Sequence, residues 1–155
     1  LICRFRYEDI KVDVMSTKAV GWAPANPWFA PGFEKKETVK IEDQRIQILP
    51  LSYLIASKFC AFNDRGSKDP RTSNDFEDIV CILDNRTDFV EQLCSAPEDV
   101  KPFLAEHINS IIHDPIKQEA ILSNLVYEIR EERFNRIFDG IKQIIAVISS
   151  SKPEK

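Results

Sequence analysis

The chain has 155 residues, 43% of them hydrophobic and 30% charged, with a formal net charge of −4 and an isoelectric point near 5.3. Those values fit one ordinary water-soluble domain and argue against a domain built as a general nucleic-acid binder, which would normally be strongly basic. They leave room for a small basic cleft on an acidic body.

The first stretch, Ile2 to Tyr7, alternates like a β-strand. A second strand over residues 10–16 alternates strictly, with Ile10, Val12 and Val14 on one face and Lys11, Asp13 and Met15 on the other. An acid in mid-strand must be solvated, paired or bound to a cation. Asp13 therefore lies either on an exposed sheet face or in a cleft. A chain that starts inside a strand with Leu1 also reads as part of a longer protein.

Residues 17–37 hold Gly21, Pro24, Pro27, Pro31 and Gly32, so little regular structure is expected there. The stretch also carries Trp22, Trp28, Phe29 and Phe33. These aromatics either cap the core or line a base or substrate pocket. Thr38–Ile41 and Arg45–Leu49 read as a hairpin around Glu42-Asp43-Gln44.

Pro50 then opens a helix, since proline is tolerated in the first turn. Leu51, Leu54, Ile55, Phe59 and Phe62 fall at helical spacing and predict its buried stripe. Lys58 lies on that helix. The pattern breaks at Asn63-Asp64-Arg65-Gly66, and a charged loop with Lys68, Asp69 and Arg71 follows. A second helix starts near Ser73, capped by Thr72 or Ser73. Asp75 and Asp78 mark its polar side, while Phe76, Ile79, Val80, Ile82 and Leu83 point inward. Acids in a first turn also complement the helix dipole, a structural task for Asp75. The two helices gather Lys58, Arg65, Lys68 and the carboxylates of Asp75 and Asp78 into one neighbourhood. Such a cluster suits a phosphate-bearing ligand beside a metal ion. It also suits a plain surface ion-pair network.

Beyond Arg86 the pattern is helical almost to the end. Phe89 to Cys94 forms a short amphipathic segment. Pro97 opens a helix with Val100, Phe103, Leu104, Ile108, Ile111 and Ile112 inward. Asp114-Pro115 starts another, carrying Ile116, Ala120, Ile121 and Leu125. A last helix is expected from about Glu128 to Ile148, before a frayed tail. No internal repeat stands out. His107 and His113 read as surface or cap residues, and Cys3, Cys60, Cys81 and Cys94 form no metal spacing. There is no Walker loop, nucleophile elbow or HExxH motif. No signal peptide or membrane span is visible, and a reducing cytoplasm is the default setting.

The ordered series Lys11-Val12-Asp13, Ala56-Ser57-Lys58, Arg65-Gly66-Ser67-Lys68-Asp69 and Asn74-Asp75-Phe76-Glu77-Asp78 resembles the AbiEii-type nucleotidyltransferases, toxins of abortive-infection toxin–antitoxin systems. Asn26-Pro27-Trp28-Phe29 is similar to a further segment of that family. The resemblance covers about residues 10–86. It implies an α+β fold with a small mixed or antiparallel sheet over 1–50, to which the residue pattern adds a helical region over 51–148 and a tail over 149–155. It implies Mg2+ or Mn2+ held by carboxylates including Asp13, and a nucleoside triphosphate as substrate. Lys58, Arg65 and Lys68 would neutralise phosphate, and Asp75 or Asp78 would position substrate or orient those cations. The acceptor would be RNA or a protein, the partner an antitoxin, and a homo-oligomer is compatible. The family's Gly-Ser and Asp-x-Asp elements are not in these residues. One carboxylate does not build a two-metal site, so this portion is expected to be inactive alone. The other reading is a non-catalytic interaction module on a degenerate transferase fold.

Overall fold

Alternating residues form two separate hairpins, and helical periodicity takes over from the middle of the chain. A computed structural model describes residues 2–21, 24–65 and 69–150. Strands β1 (Ile2–Tyr7) and β2 (Ile10–Met15) pair antiparallel with Tyr7 opposite Ile10. Strands β3 (Glu37–Ile41) and β4 (Gln44–Ile48) do the same with Ile41 opposite Gln44. Among the described residues the expected sheet is thus two sheets of two strands each.

The hairpins use the same local device. Each turns on a Glu-Asp pair whose glutamate has positive φ, 53° at Glu8 and 52° at Glu42. Each sets a cation against the turn aspartate, Arg6 to Asp9 at 3.4 Å and Lys40 to Asp43 at 3.9 Å. Each also places two cations directly opposite, Arg6 with Lys11 and Lys40 with Arg45. Arg6-Tyr7-Glu8-Asp9-Ile10-Lys11-Val12 echoes Lys40-Ile41-Glu42-Asp43-Gln44-Arg45-Ile46. This echo is too short to register as a periodic repeat.

The hairpins differ in cover. Every residue from Cys3 to Met15 is exposed. Val39 and Ile48 of the second hairpin are half-buried, and Ile48 leads directly into the helical body. The 17–37 stretch contains one short helix, α1 (Phe29–Glu34), where irregular chain was expected. Gly32 explains its fit: a β-carbon there would lie 2.8 Å from Leu49 Cδ2 and 2.9 Å from Tyr53 Cβ. Only a glycine lets α1 lie this close to the next helix.

That helix, α2 (Leu51–Asp64), is the centre of the body. Tyr53, Ile55, Ala56 and Phe59 are essentially inaccessible, and Ser52 and Ser57 are buried too. Burial almost all round replaces the single stripe read from the sequence, and Leu54 is only half-buried. Helix α3 (Asn74–Asn85) follows a 3-10 turn, with Ser73 Oγ accepting from the Phe76 amide as the expected cap. Then come α4 (Phe89–Cys94), α5 (Lys101–His113), α6 (Pro115–Asn124) and α7 (Arg130–Ser150).

Helix α5 begins past Pro97, which instead accepts from the amides of Val100 and Lys101 in a preceding turn. Asp114 caps α6 by accepting from the Ile116 amide at 2.9 Å, as the Asp-Pro pair predicts. Ile116, in the first turn of α6, departs from expectation: it is 45% exposed. Val100, Leu104, Ile108, Ile111, Ala120, Ile121, Ile137, Ile141, Ile144 and Ile148 close the core. The architecture is α+β, two antiparallel hairpins ahead of a helical body. Among the described residues no helix is long and apolar enough to cross a membrane.

Candidate functional site

Two helical turns separate Lys58 from Arg65, so both emerge from one side of α2. Three residues separate Asp75 from Asp78, so they share a side of α3. The helices pack together, and the two pairs meet in order. Lys58 Nζ donates to Asp78 Oδ2 at 2.5 Å. Arg65 Nη1 lies 3.3 Å from Asp75 Oδ2. Asp75 is nearly buried, with its side chain 8% exposed, while the Arg65 side chain is 60% exposed. Asp75 thus anchors a guanidinium whose outer edge faces water. A charge-assisted bond of this kind fixes a long, flexible cation.

A second tie lies one residue from Lys58. Asn26 Nδ2 donates to the Ser57 carbonyl at 2.9 Å, and Asn26 Oδ1 accepts from the Trp28 amide at 3.1 Å. The proline-rich loop is pinned to α2 beside the cation. Trp28 packs on Phe103 with ring centroids 4.9 Å apart, so this aromatic caps the core. Trp22 and Lys68 lie outside the described residues.

Asp13 is placed differently. Arg4, directly across the hairpin, donates Nε to Oδ1 at 2.6 Å and Nη2 to Oδ2 at 2.8 Å. Those hydrogen bonds hold the Asp13 carboxyl below the usual carboxylate range, outweighing an opposing effect of desolvation. Asp13 lies on the exposed sheet face, and no ion pair joins it to Lys58 or Arg65 among the described residues. The cluster brings together Lys58, Arg65, Asp75 and Asp78, and leaves Asp13 with Arg4.

Among the described residues the donors in place do not by themselves make a divalent-ion site. Both Asp13 oxygens are taken by a guanidinium, and no group of three or more His, Cys, Asp or Glu side chains converges among the described residues. Hard divalent cations need several oxygen ligands at once.

Three other polar constellations escaped the sequence. Tyr53, at the centre of the core, donates its hydroxyl to Asp99 at 2.8 Å and accepts from Lys35 Nζ at 2.6 Å. Lys35 also reaches Asp99 at 3.2 Å. The hydrogen bond to Tyr53 pushes the Lys35 amine up. Burial pulls Asp99 upward, yet the bonds from Tyr53 and Lys35 outweigh it and leave the carboxyl lowered. Asp84, with its side chain 9% exposed, takes Arg133 at 2.5 Å and Arg136 at 3.0 Å, tying α3 to α7.

His107 is half-buried rather than a surface cap. It stacks on Phe103 with centroids 4.0 Å apart. Its Nδ1 lies 2.9 Å from the Phe103 carbonyl, which can only accept, so Nε2 is left to accept from the Asn63 amide at 2.8 Å. The described residues also line a cavity of about 340 Å³, bounded by Glu37, Ile48, Leu49, Leu51, Leu54 and Arg86. None of Lys58, Arg65, Asp75 or Asp78 lines it.

No protein-family model, curated protein or solved structure matches the chain.

Proposed function

We propose that the paired face of α2 and α3 binds the phosphates of a nucleoside triphosphate, as the substrate-holding portion of an AbiEii-type nucleotidyltransferase. What supports this reading is the double pairing itself: Lys58 on Asp78 and Arg65 on Asp75. Each carboxylate fixes a cation that still reaches water, and α2 spaces the two cations about 10 Å apart along its axis. The two ends of an extended triphosphate would meet a point charge at Lys58 and a planar fork at Arg65. The residues in hand bind and orient the phosphates, and the described donors do not by themselves make a metal site. An acceptor of RNA or protein, an antitoxin partner and a cytoplasmic setting belong to the same proposal.

Calorimetric titration of the full chain with inorganic triphosphate and with each common nucleoside triphosphate tests it. Saturable binding is expected, weakened by Lys58→Ala and by Arg65→Ala by roughly ten- to a hundred-fold each, the worth of one charge-assisted hydrogen bond. Equal affinity in the parent and both variants would reduce the cluster to a surface ion-pair network.

One observation favours the second reading, an interaction module. The first hairpin leaves Phe5 59%, Tyr7 71% and Ile10 62% exposed on a single apolar face. Such a face marks a contact surface.

A further inference from the structure

Main-chain polarity along the first hairpin decides which groups look outward. Tyr7 and Ile10 flank the two-residue turn and exchange main-chain hydrogen bonds, and the alternation extends this to Phe5 with Val12 and Cys3 with Val14. Lys11 and Asp13 therefore turn their N–H and C=O groups away from β1. They face an edge that no described strand occupies. On β1 the same alternation points the main-chain groups of Arg4 and Arg6 outward. Cys3, Phe5, Tyr7, Ile10, Val12 and Val14 share the uncovered apolar face. A two-stranded hairpin with nothing packed on it is marginal in water, whereas three or more strands with one apolar face are stable.

We propose that β2 pairs antiparallel with β2 of a second copy of this chain, about a two-fold axis at Val12, to make one four-stranded sheet. In this register Lys11 lies opposite Asp13 of the second copy, and Asp13 opposite its Lys11. Both are hydrogen-bonded pairs that use the outward main-chain groups. Ile10 lies opposite Val14 and Val12 opposite Val12, so the apolar face runs unbroken across the junction. The adjoining face-matched registers fail on charge. An axis at Lys11 sets two lysines together, and an axis at Asp13 sets two aspartates together. Directly opposed like charges destabilise a ladder. A slip by one residue sets the apolar face of one hairpin against the charged face of the other.

Strand β1 does not offer the same edge. Pairing with itself about Phe5 places Arg4 against Arg6, and pairing about Arg4 places two arginines together. Charged edges of this kind prevent sheet extension. The charge order Lys-Val-Asp thus selects the strand, the register and the occupant, since a two-fold axis needs a self-complementary edge. Lys11 and Asp13 belong to neither α2 nor α3, so this assembly and the triphosphate site stand or fall separately.

Sedimentation equilibrium of the full chain, with hydrogen exchange on the same samples, tests the assembly. The parent chain is expected to dimerise, with slow exchange at the Lys11 and Asp13 amides. Lys11→Glu improves the contact with Arg6 inside the hairpin yet opposes two acids across the axis. It should weaken the dimer roughly ten-fold or more. Asp13→Lys, made together with Arg4→Asp to keep opposite charges across the hairpin, should also weaken it. Mixing the two variants should restore a dimer, now with two opposite-charge pairs. A monomeric parent would overturn the proposal, including one whose β2 amides are protected, which would mean another part of the same chain fills the edge. So would a dimer that Lys11→Glu leaves unchanged, or a mixture that fails to recover.

Discussion

Gly140→Ala sets two effects of opposite sign against each other. Gly140 is buried in the middle of α7, where alanine is favoured over glycine by about 1 kcal/mol of helix propensity. Against this, a methyl group at Gly140 would overlap Phe89 Cζ. It would also lie 2.9 Å from Val90 Cγ2 and 3.0 Å from Phe89 Cε2. Carbon atoms pack best at roughly 3.5–4.0 Å, so the Phe89 ring must retreat by about 1 Å. The ring is 2% exposed and has no solvent to retreat into. Overpacking of a filled core costs about 1–3 kcal/mol, often with a backbone shift. A ring trapped on several sides puts this site in the upper part of that range. The net expectation is a loss of about 1–2 kcal/mol, or roughly 2–8 °C in Tm for a chain of this size. Urea unfolding followed by tryptophan fluorescence measures it. Phe89→Leu in the Gly140→Ala background should cost less than the two single changes summed, because it removes the clashing atoms. A Gly140→Ala chain more stable than its parent would refute the close α4–α7 crossing.

Asp84→Ala should lower stability by about 2–3 kcal/mol, since it leaves Arg133 and Arg136 without their shared carboxylate, and the urea midpoint should fall with the slope unchanged. The Lys35–Tyr53–Asp99 tie gives stability two pH edges. The Asp99 pKa is lowered, so its contribution is present above the ordinary carboxylate range and is lost as pH falls through the lowered folded value. The Lys35 pKa is raised, so its contribution is present below the ordinary amine value and is lost as pH rises through the raised folded value. Tyr53→Phe should flatten both edges in a Tm-against-pH series; an unchanged profile would show that the tie contributes nothing. Burial, helped by a hydrogen bond to Asp64, pushes the Cys60 thiol up to about 11. At pH 8, iodoacetamide should alkylate Cys3 and Cys81, both exposed, well before Cys60, as read by peptide mass spectrometry.

Helix boundaries and caps were legible where side-chain chemistry acts locally. Ser73 and Asp114 each reach an amide two or three residues on, and both residue types advertise that role. The pairing of Lys58 and Arg65 with Asp78 and Asp75 was legible as a neighbourhood, because periodicity alone puts each pair on one side of its helix. The partner of Asp13 was not, since an alternating strand fixes a face but not the residue across it. Arg4 becomes the partner through the turn at Glu8-Asp9, which sets the register. Tyr53 was missed because nothing local distinguishes a buried tyrosine. Its hydroxyl partners are brought to it by α1 and the turn before α5. Gly140 gave no signal either, since only the crossing of α4 shows why a side chain is excluded there.

The most direct test of the triphosphate site is nuclear magnetic resonance of the cationic side chains themselves. Lys58 Nζ and Arg65 Nε should shift together as inorganic triphosphate is added, saturating at one common Kd, while Arg133 and Arg136 stay put. Resonances at Lys58 and Arg65 that remain fixed at triphosphate saturation, or move no more than those of Arg133 and Arg136, would contradict it.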